Sequence, residues 1–102
     1  MAMKYELIQA PSRSARAMIQ RRIPHDVGHE AGLEGANWGA VLLAQGMVIE
    51  IMAAADIGTK AADVAAVELL GNCPQHVTSL AFIGTPSQIQ QVLNALKNAG
   101  KV

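Results

Sequence analysis

The chain contains a single cysteine, Cys73, and this residue has the widest range of possible chemistry. It lies in a Gly-Asn-Cys-Pro-Gln segment between two apolar runs that are rich in β-branched and large side chains. Such runs, separated by Gly, Asn and Pro, are typical of two strands joined by a tight connection. Pro74 fixes φ and Gly71 tolerates positive φ, which predicts that the backbone turns at Cys73. A thiol at a turn is available for chemistry, although a free cysteine is as often a small buried hydrophobic residue.

Covalent catalysis by this thiol has little support. His76 is close in sequence, but a nucleophilic cysteine needs a base that a third group orients, and no residue is spaced for that role. The segment 54–60, AADIGTK, ends like a phosphate-binding loop yet lacks the leading glycine and the preceding strand. The sequence therefore predicts a protein that is not an enzyme.

A pair of histidines offers a second possible site. His25 and His29 are four residues apart in a polar stretch, with an acidic residue beside each. On a helix this spacing would place both imidazoles on one face, as in many zinc sites. Gly28 interrupts such a helix, and no third ligand is spaced to match. A solvated loop over residues 25–35 is therefore the favoured interpretation.

The composition indicates one small domain that associates with further copies. The chain has 102 residues, a formal net charge of zero and 16% charged residues, against about 25% in ordinary soluble domains. So little charge predicts that part of the surface is covered in an assembly. The zero net charge predicts no nucleic-acid partner. A local arginine cluster is expected to line an interface; it comprises Arg13, Arg16, Arg21 and Arg22.

Export and membrane insertion are both unexpected. The N-terminal stretch MAMKYELIQ has no apolar signal region, and one cysteine cannot form an internal disulfide. The apolar runs are far shorter than the ~18 residues that span a bilayer. We therefore expect a protein of the reducing cytoplasm with no membrane partner, whose thiol stays free unless a metal binds it.

The first half of the chain predicts three strands. Residues 4–10 indicate an edge strand or an arm. Residues 13–23 alternate with period two, which favours a strand that Pro24 ends over a short helix. The apolar stretch 37–45 predicts a strand that is covered on both faces.

The second half predicts two helices around the hairpin. From Met47 to Asp63 an i, i+3, i+4, i+7 stripe predicts a helix whose methionines fill the core. Thr85 as N-cap, followed by Pro86, predicts a second helix, and Gly100 lies where it should stop. The stripe of the first helix comprises Val48, Ile51, Met52, Ala55, Thr59 and Ala62. The resulting order β-β-loop-β-α-β-β-α predicts an α+β domain, with a mixed or antiparallel sheet and helices packed on one face.

Residues 38–99 resemble the bacterial microcompartment (BMC) shell domain, which combines a strand, a helix, a hairpin and a second helix. In that family the first helix ends in a D-x-x-x-K-A-A-x-V pattern. Here the pattern runs from Asp56 through Lys60 to Val64. The resemblance implies a BMC fold and a structural role in a microcompartment shell in the bacterial cytoplasm.

The order of the elements resembles one branch of that family. In most members the strand and terminal helix that would correspond to residues 13–35 come last, whereas here they precede Trp38. The circularly permuted shell proteins of propanediol and ethanolamine compartments share this order. The resemblance implies a single permuted BMC domain over residues 13–102, preceded by an N-terminal arm or strand over residues 1–12. By the same resemblance, six such arms could form a small barrel above a pore.

The family also implies roles for particular residues. Its members are cyclic homohexamers in which the hairpin turn lines a central pore that passes small metabolites, and other shell proteins are the further partners. Here the pore loop would comprise Gly71, Asn72, Cys73, Pro74 and Gln75. Its G-x-C-P-Q form is similar to the shell proteins of glycyl-radical propanediol compartments, which implies metal binding by Cys73 as an iron–sulfur cluster, expected as [4Fe-4S]. Lys60 would lie at the hexamer edge, against the lysine of the neighbouring tile.

The number of thiols per chain allows such a cluster only in a ring of several chains. One thiol per chain is too few, because an iron–sulfur centre generally needs about four thiolates. A sixfold ring brings six copies of Cys73 towards one axis, and thiolates favour iron–sulfur clusters or zinc over hard cations. The alternative is a stand-alone α+β ligand-binding or regulatory domain that dimerises through its sheet edge, with Cys73 inert.

Overall fold

The computed structural model describes residues 2–70 and 77–102, which fold into an α+β domain with one four-stranded sheet. The strand order is β1-β2-β4-β3, and each neighbouring pair is antiparallel. The predicted α+β class is therefore confirmed. The elements are β1 (Lys4–Gln9), α1 (Arg13–Arg21), α2 (His25–Glu30), a 3-10 turn (Leu33–Gly35), β2 (Ala40–Met47), α3 (Val48–Ala61), β3 (Ala65–Leu69), β4 (Val77–Gly84) and α4 (Pro86–Asn98).

The two central strands bury both of their faces. Along β2 and β4 the side chains alternate between two separate apolar clusters: Leu42 and Phe82 belong to one, while Val41 and Ile83 belong to the other. Continuous apolar runs are typical of strands covered on both sides. The prediction of a doubly covered strand over residues 37–45 is confirmed by β2.

Helices α3 and α4 cover the first face. Ile51 and Ala54 of α3 and Ile89 and Leu93 of α4 are buried in the same cluster as Phe82. The predicted stripe of α3 is partly wrong, because Met52 is 66% exposed. The buried positions of α3 are Ile51, Ala54 and Gly58, which share one side of the helix.

Residues 13–23 do not form the predicted strand. Residues 13–21 form α1, whose N-cap Ser12 accepts a hydrogen bond at its Oγ from the backbone N–H of Ala15, 3.1 Å away. Alternating arginine and apolar residues imitate a period of two, but the capping serine and the buried Ile19 fit a short amphipathic helix.

The N-terminal helices lie on the second face of the sheet. Ile19 and Ile23 pack there with Val41, Val67 and Ile83. The expectation of helices on one face holds for α3 and α4 and is wrong for this N-terminal segment. The loop expected over residues 25–35 contains the short helix α2 and the 3-10 turn.

The N-terminal segment belongs to the sheet. Of the two forms expected for residues 4–10, the structure shows the edge strand, paired with β2 from Lys4 opposite Gln45 to Gln9 opposite Ala40. Met3, just before β1, is buried in the α3–α4 cluster. The strand that comes before β2 in the chain is therefore β1, and α1 is the helix that follows it.

The predicted signals at both ends of α4 are confirmed. Thr85 Oγ1 accepts from the Gln88 N–H, and Gln88 Oε1 accepts from the Thr85 N–H, at 3.2 and 3.0 Å. At the other end Gly100 has φ +72°, and the Lys101 N–H donates to the Leu96 carbonyl. None of the helices in the described ranges is long and apolar enough to cross a membrane.

Candidate functional site

The candidate site is the connection between β3 and β4. The two strands are antiparallel neighbours, with Leu69 opposite Ser79, so the chain leaves and re-enters the sheet at one end. This confirms the predicted hairpin pairing. Cys73 lies outside the described residues. The same holds for the other predicted pore-loop residues, Gly71, Asn72, Pro74 and Gln75.

Both stems of this connection are held by the rest of the domain. On one side β4 lies between β2 and β3 and is buried from Leu80 to Ile83. On the other, the Leu70 N–H donates to the carbonyl oxygen of Arg22, with 2.8 Å between N and O. This second contact joins β3 to the end of α1, and sequence reasoning missed it because it joins residues far apart in the chain.

Lys60 lies in the last turn of α3 with its side chain 74% exposed. Its Nζ is 2.9 Å from Oδ2 of Asp56, which makes an i, i+4 ion pair on the surface of α3. A pair this exposed contributes only about 0.3–0.5 kcal/mol to stability. Lys60 is therefore available to a neighbouring molecule at small cost.

The arginine cluster is exposed on and just after α1. Arg16 lies over the indole of Trp38, 4.7 Å from the ring centroid. Arg16 and Trp38 line a groove of about 310 Å³ together with His25 and His29. His29 contacts Glu34, with 3.3 Å between Nδ1 and Oε1.

The histidine pair has no third possible metal ligand grouped with it among the residues that the structure describes. Within residues 2–70 and 77–102, no three His, Cys, Asp or Glu side chains are grouped to hold a metal ion. The favoured interpretation of a solvated surface is consistent with the exposure of both His25 and His29 on α2.

Two further surfaces are partly apolar. The start of α3 exposes Met47, Ile49 and Met52, which are 48, 77 and 66% accessible. A cleft of about 610 Å³ lies on the second face of the sheet, beside the area that α1 covers. Leu43 and Leu69 are among the residues that line it. Exposed apolar area of this kind is common at protein interfaces.

Comparison with solved structures identifies the class of fold. The chain is 26% identical to the ligand-free GrpU microcompartment shell protein from Pectobacterium wasabiae, with a TM-score of 0.73 over 92% of this chain and 99% of that one. It is 19% identical to the GrpU shell protein from Clostridiales bacterium 1_7_47FAA, with a TM-score of 0.67 over 98% of both chains. The domain therefore has the fold of a microcompartment shell protein.

A third structure supports the permuted order. The fused permuted hexameric shell protein MSM0275 of the RMM microcompartment has a TM-score of 0.57 and 15% identity, covering 100% of this chain and 48% of that chain. The expected resemblance to permuted BMC shell proteins of the GrpU type is confirmed. No protein-family model and no curated protein matches the chain. The structural neighbours support a structural role in a shell inside the bacterial cell.

Proposed function

We propose that the chain is a structural tile of a bacterial microcompartment shell and assembles into a cyclic homohexamer around a central pore. The observation that carries this proposal is the match to the GrpU shell protein, at 26% identity and almost complete coverage of both chains. The low fraction of charged residues, 16%, also favours a chain whose surface is partly covered by copies of itself.

The pore of this hexamer would be lined by residues 71–75, between β3 and β4. Support comes from the adjacent ends of these strands, which Leu69 and Ser79 mark. A hairpin anchored on both stems can present its tip at a symmetry axis while the domain stays unchanged. Small metabolites would pass through this pore, and other shell proteins would complete the layer.

Cys73 would bind an iron–sulfur cluster that several subunits share. The donor set fits such a group only in the ring, because each chain has one cysteine and a [4Fe-4S] cluster needs about four thiolates. In a hexamer the remaining thiols would stay free, and the loops of the ligating subunits would differ from those of the others. When bound, the cluster would supply one-electron redox chemistry at the pore.

Lys60 would lie at the outer edge of the hexamer and contact the lysine of a neighbouring tile through its aliphatic stem. Its exposure at the end of α3 supports this position. The weak pair with Asp56 would be exchanged for the contact between tiles.

Native mass spectrometry of the purified chain tests the hexamer directly. A hexamer is expected, and a species no larger than a dimer would contradict the tile and favour the alternative of a dimeric ligand-binding or regulatory domain with an inert Cys73. Electron microscopy of concentrated samples then tests whether the hexamers associate into flat sheets.

A further inference from the structure

The edge strands β1 and β3 form the two sides of the domain that face neighbouring subunits in a ring. Helices α3 and α4 cover one face of the sheet and α1 packs on the other, whereas β1 and β3 each have a strand on one side only. All four strands run towards or away from the end of the sheet where β3 and β4 are connected. With that connection at the ring axis, the strands lie along the radius and the edges lie at the sides.

Tyr5 and Glu68 stand at opposite ends of one row of residues across the sheet. Tyr5 is paired with Ala44 of β2, which is paired with Leu80 of β4. Leu80 in turn is paired with Glu68 of β3. Paired residues of antiparallel strands point to the same face, and Leu80 belongs to the cluster beneath α3 and α4. Tyr5 and Glu68 are therefore on this same face and about equally far from the connection.

The β1 end of this row is basic. Nζ of Lys97, in the last turn of α4, lies 6.0 Å from the centroid of the Tyr5 ring. Lys97 is exposed, and Tyr5 is 39% exposed. The carbonyl of Lys101 accepts from the Met3 N–H at 2.9 Å, which brings a second lysine to this edge. The β1 edge thus combines an aromatic ring with positive charge.

The β3 end of the row is acidic. Glu68 is the one charged residue of β3, and it is exposed. Leu70, just beyond the strand, is 58% exposed and adds an apolar group to this edge. Neither Glu68 nor Lys97 forms an ion pair within the part of the chain that the structure describes. The two edges are therefore complementary in charge, and each also exposes an apolar side chain.

We propose that the β1 edge of each subunit packs against the β3 edge of the next subunit around the ring, with Lys97 paired to Glu68 of the neighbouring subunit. This inference rests on the proposed hexamer and identifies the surfaces that join its subunits. A head-to-tail contact of this kind uses two different surfaces, so each subunit offers one surface to each neighbour and the ring can close. All subunits of a cyclic ring present the same face to the same side, so the two ends of the row meet.

Charge complementarity sets the register of this contact more than its strength. A single exposed ion pair is weak, whereas like charges brought together across an interface oppose assembly strongly. The contact is repeated at every interface of the ring. Reversal of one charge should therefore disrupt the ring, and reversal of both should restore it.

Carbodiimide cross-linking of the unchanged chain tests the contact directly. The reagent joins a lysine amine to a carboxylate in direct contact, with loss of water. Within one chain, Lys97 and Glu68 lie on opposite edges that are three strand spacings, ~14 Å, apart. In hexamers assembled from unlabelled and isotope-labelled chains, we expect Lys97–Glu68 peptides that carry both labels. A denaturing gel should show a ladder beyond the dimer, because a head-to-tail contact links each chain to two others. Absence of the link in a hexamer, or a ladder that stops at the dimer, would overturn the proposal.

Charge reversal provides a second test. Glu68→Lys and Lys97→Glu should each lose the hexamer in native mass spectrometry, and the double variant should regain it. Asp56→Lys is the matched control, because Asp56 is exposed on α3, outside both edge strands, and the substitution changes the charge as Glu68→Lys does. Circular dichroism should show that all four variants remain folded.

The outcomes separate this contact from the proposed function. A hexamer that survives both single reversals, or a double variant that stays dissociated while folded, would overturn the Lys97–Glu68 contact and leave the hexamer standing. An unchanged chain that is not hexameric would contradict the proposed function itself.

Discussion

Gly58 of α3 lies directly against the ring of Phe82 in β4. A Cβ on Gly58 would overlap the Phe82 ring and would stand 3.0 Å from Cγ1 of Val92. Phe82 and Val92 are both completely buried. Helix α3 can therefore approach the sheet closely at this turn only because residue 58 has no side chain.

Gly58→Ala should destabilise the domain. Overpacking costs about 1–3 kcal/mol, and the better helix propensity of alanine returns at most about 1 kcal/mol. We expect a lower Tm, by about 4–8 °C for each kcal/mol of net loss. Thermal unfolding followed by circular dichroism measures it.

Gly35→Ala is the matched control, because a Cβ at Gly35 would have no heavy atom within 4 Å. Its Tm should remain close to that of the unchanged chain. An unchanged Tm for Gly58→Ala as well would show that Phe82 can move aside and that the close approach of α3 is not required.

Removal of residues 1–10 should abolish cooperative folding. The deletion removes the strand that pairs with β2 along its length, together with the buried Met3 and the partly buried Leu7. Circular dichroism and urea unfolding measure the outcome, and removal of residues 1–2 alone is the control. A truncated chain that unfolds at the original midpoint would show that the segment acts as an arm outside the core sheet.

Local signals made α4 and β2 predictable. The reciprocal Thr85–Gln88 bonds and the positive φ of Gly100 depend only on residues near each end of α4. The continuous apolar run of β2 indicates that both of its faces are buried, and this can be predicted without knowing which elements pack against it. Elements of this kind can be read from sequence because their determinants lie within a few residues.

Non-local determinants explain what the sequence did not reveal. Residues 13–23 carry a period of two by chance, and the contact of Ile19 and Ile23 with the second sheet face, together with the Ser12 cap, favours a helix. The exposure of Met52 likewise depends on how α3 is rotated over the sheet, which Gly58 determines through its approach to Phe82. The resemblance to shell proteins guided the proposed site, because one cysteine has no local partner that could indicate a metal.

Lys60→Ala should prevent the association of hexamers into sheets and leave the hexamers intact. The proposed edge contact uses the aliphatic stem of Lys60, whereas its ion pair with Asp56 contributes little within the chain. Native mass spectrometry measures the hexamer, and electron microscopy measures sheet formation. Asp56→Ala is the control, because it removes the ion pair but keeps the lysine. Loss of sheets in both variants, or in neither, would show that Lys60 is only the surface partner of Asp56.

Protein that is produced with adequate iron and handled without oxygen should be brown and contain about four iron atoms per hexamer, the content of one [4Fe-4S] cluster. Six single thiols around one axis can supply the ligands of one cluster but not of six. A cluster held at a pore mouth is exposed to solvent, so air should bleach it. Iron and sulfide analysis, together with the visible spectrum, measures both effects.

Cys73→Ser should remove the colour and the iron while the hexamer persists. The substitution replaces the thiolate with a hydroxyl, a much poorer ligand for iron–sulfur clusters, and its position in the sequence is between the end of β3 and the start of β4. Gln75→Ala is the matched control, because it changes the same connection but keeps the thiol, and it should stay brown. Native mass spectrometry confirms that both variants assemble equally. Visible absorbance retained by Cys73→Ser, or colourless protein after anaerobic preparation of the unchanged chain, would contradict metal binding and leave Cys73 as an ordinary thiol of the pore loop.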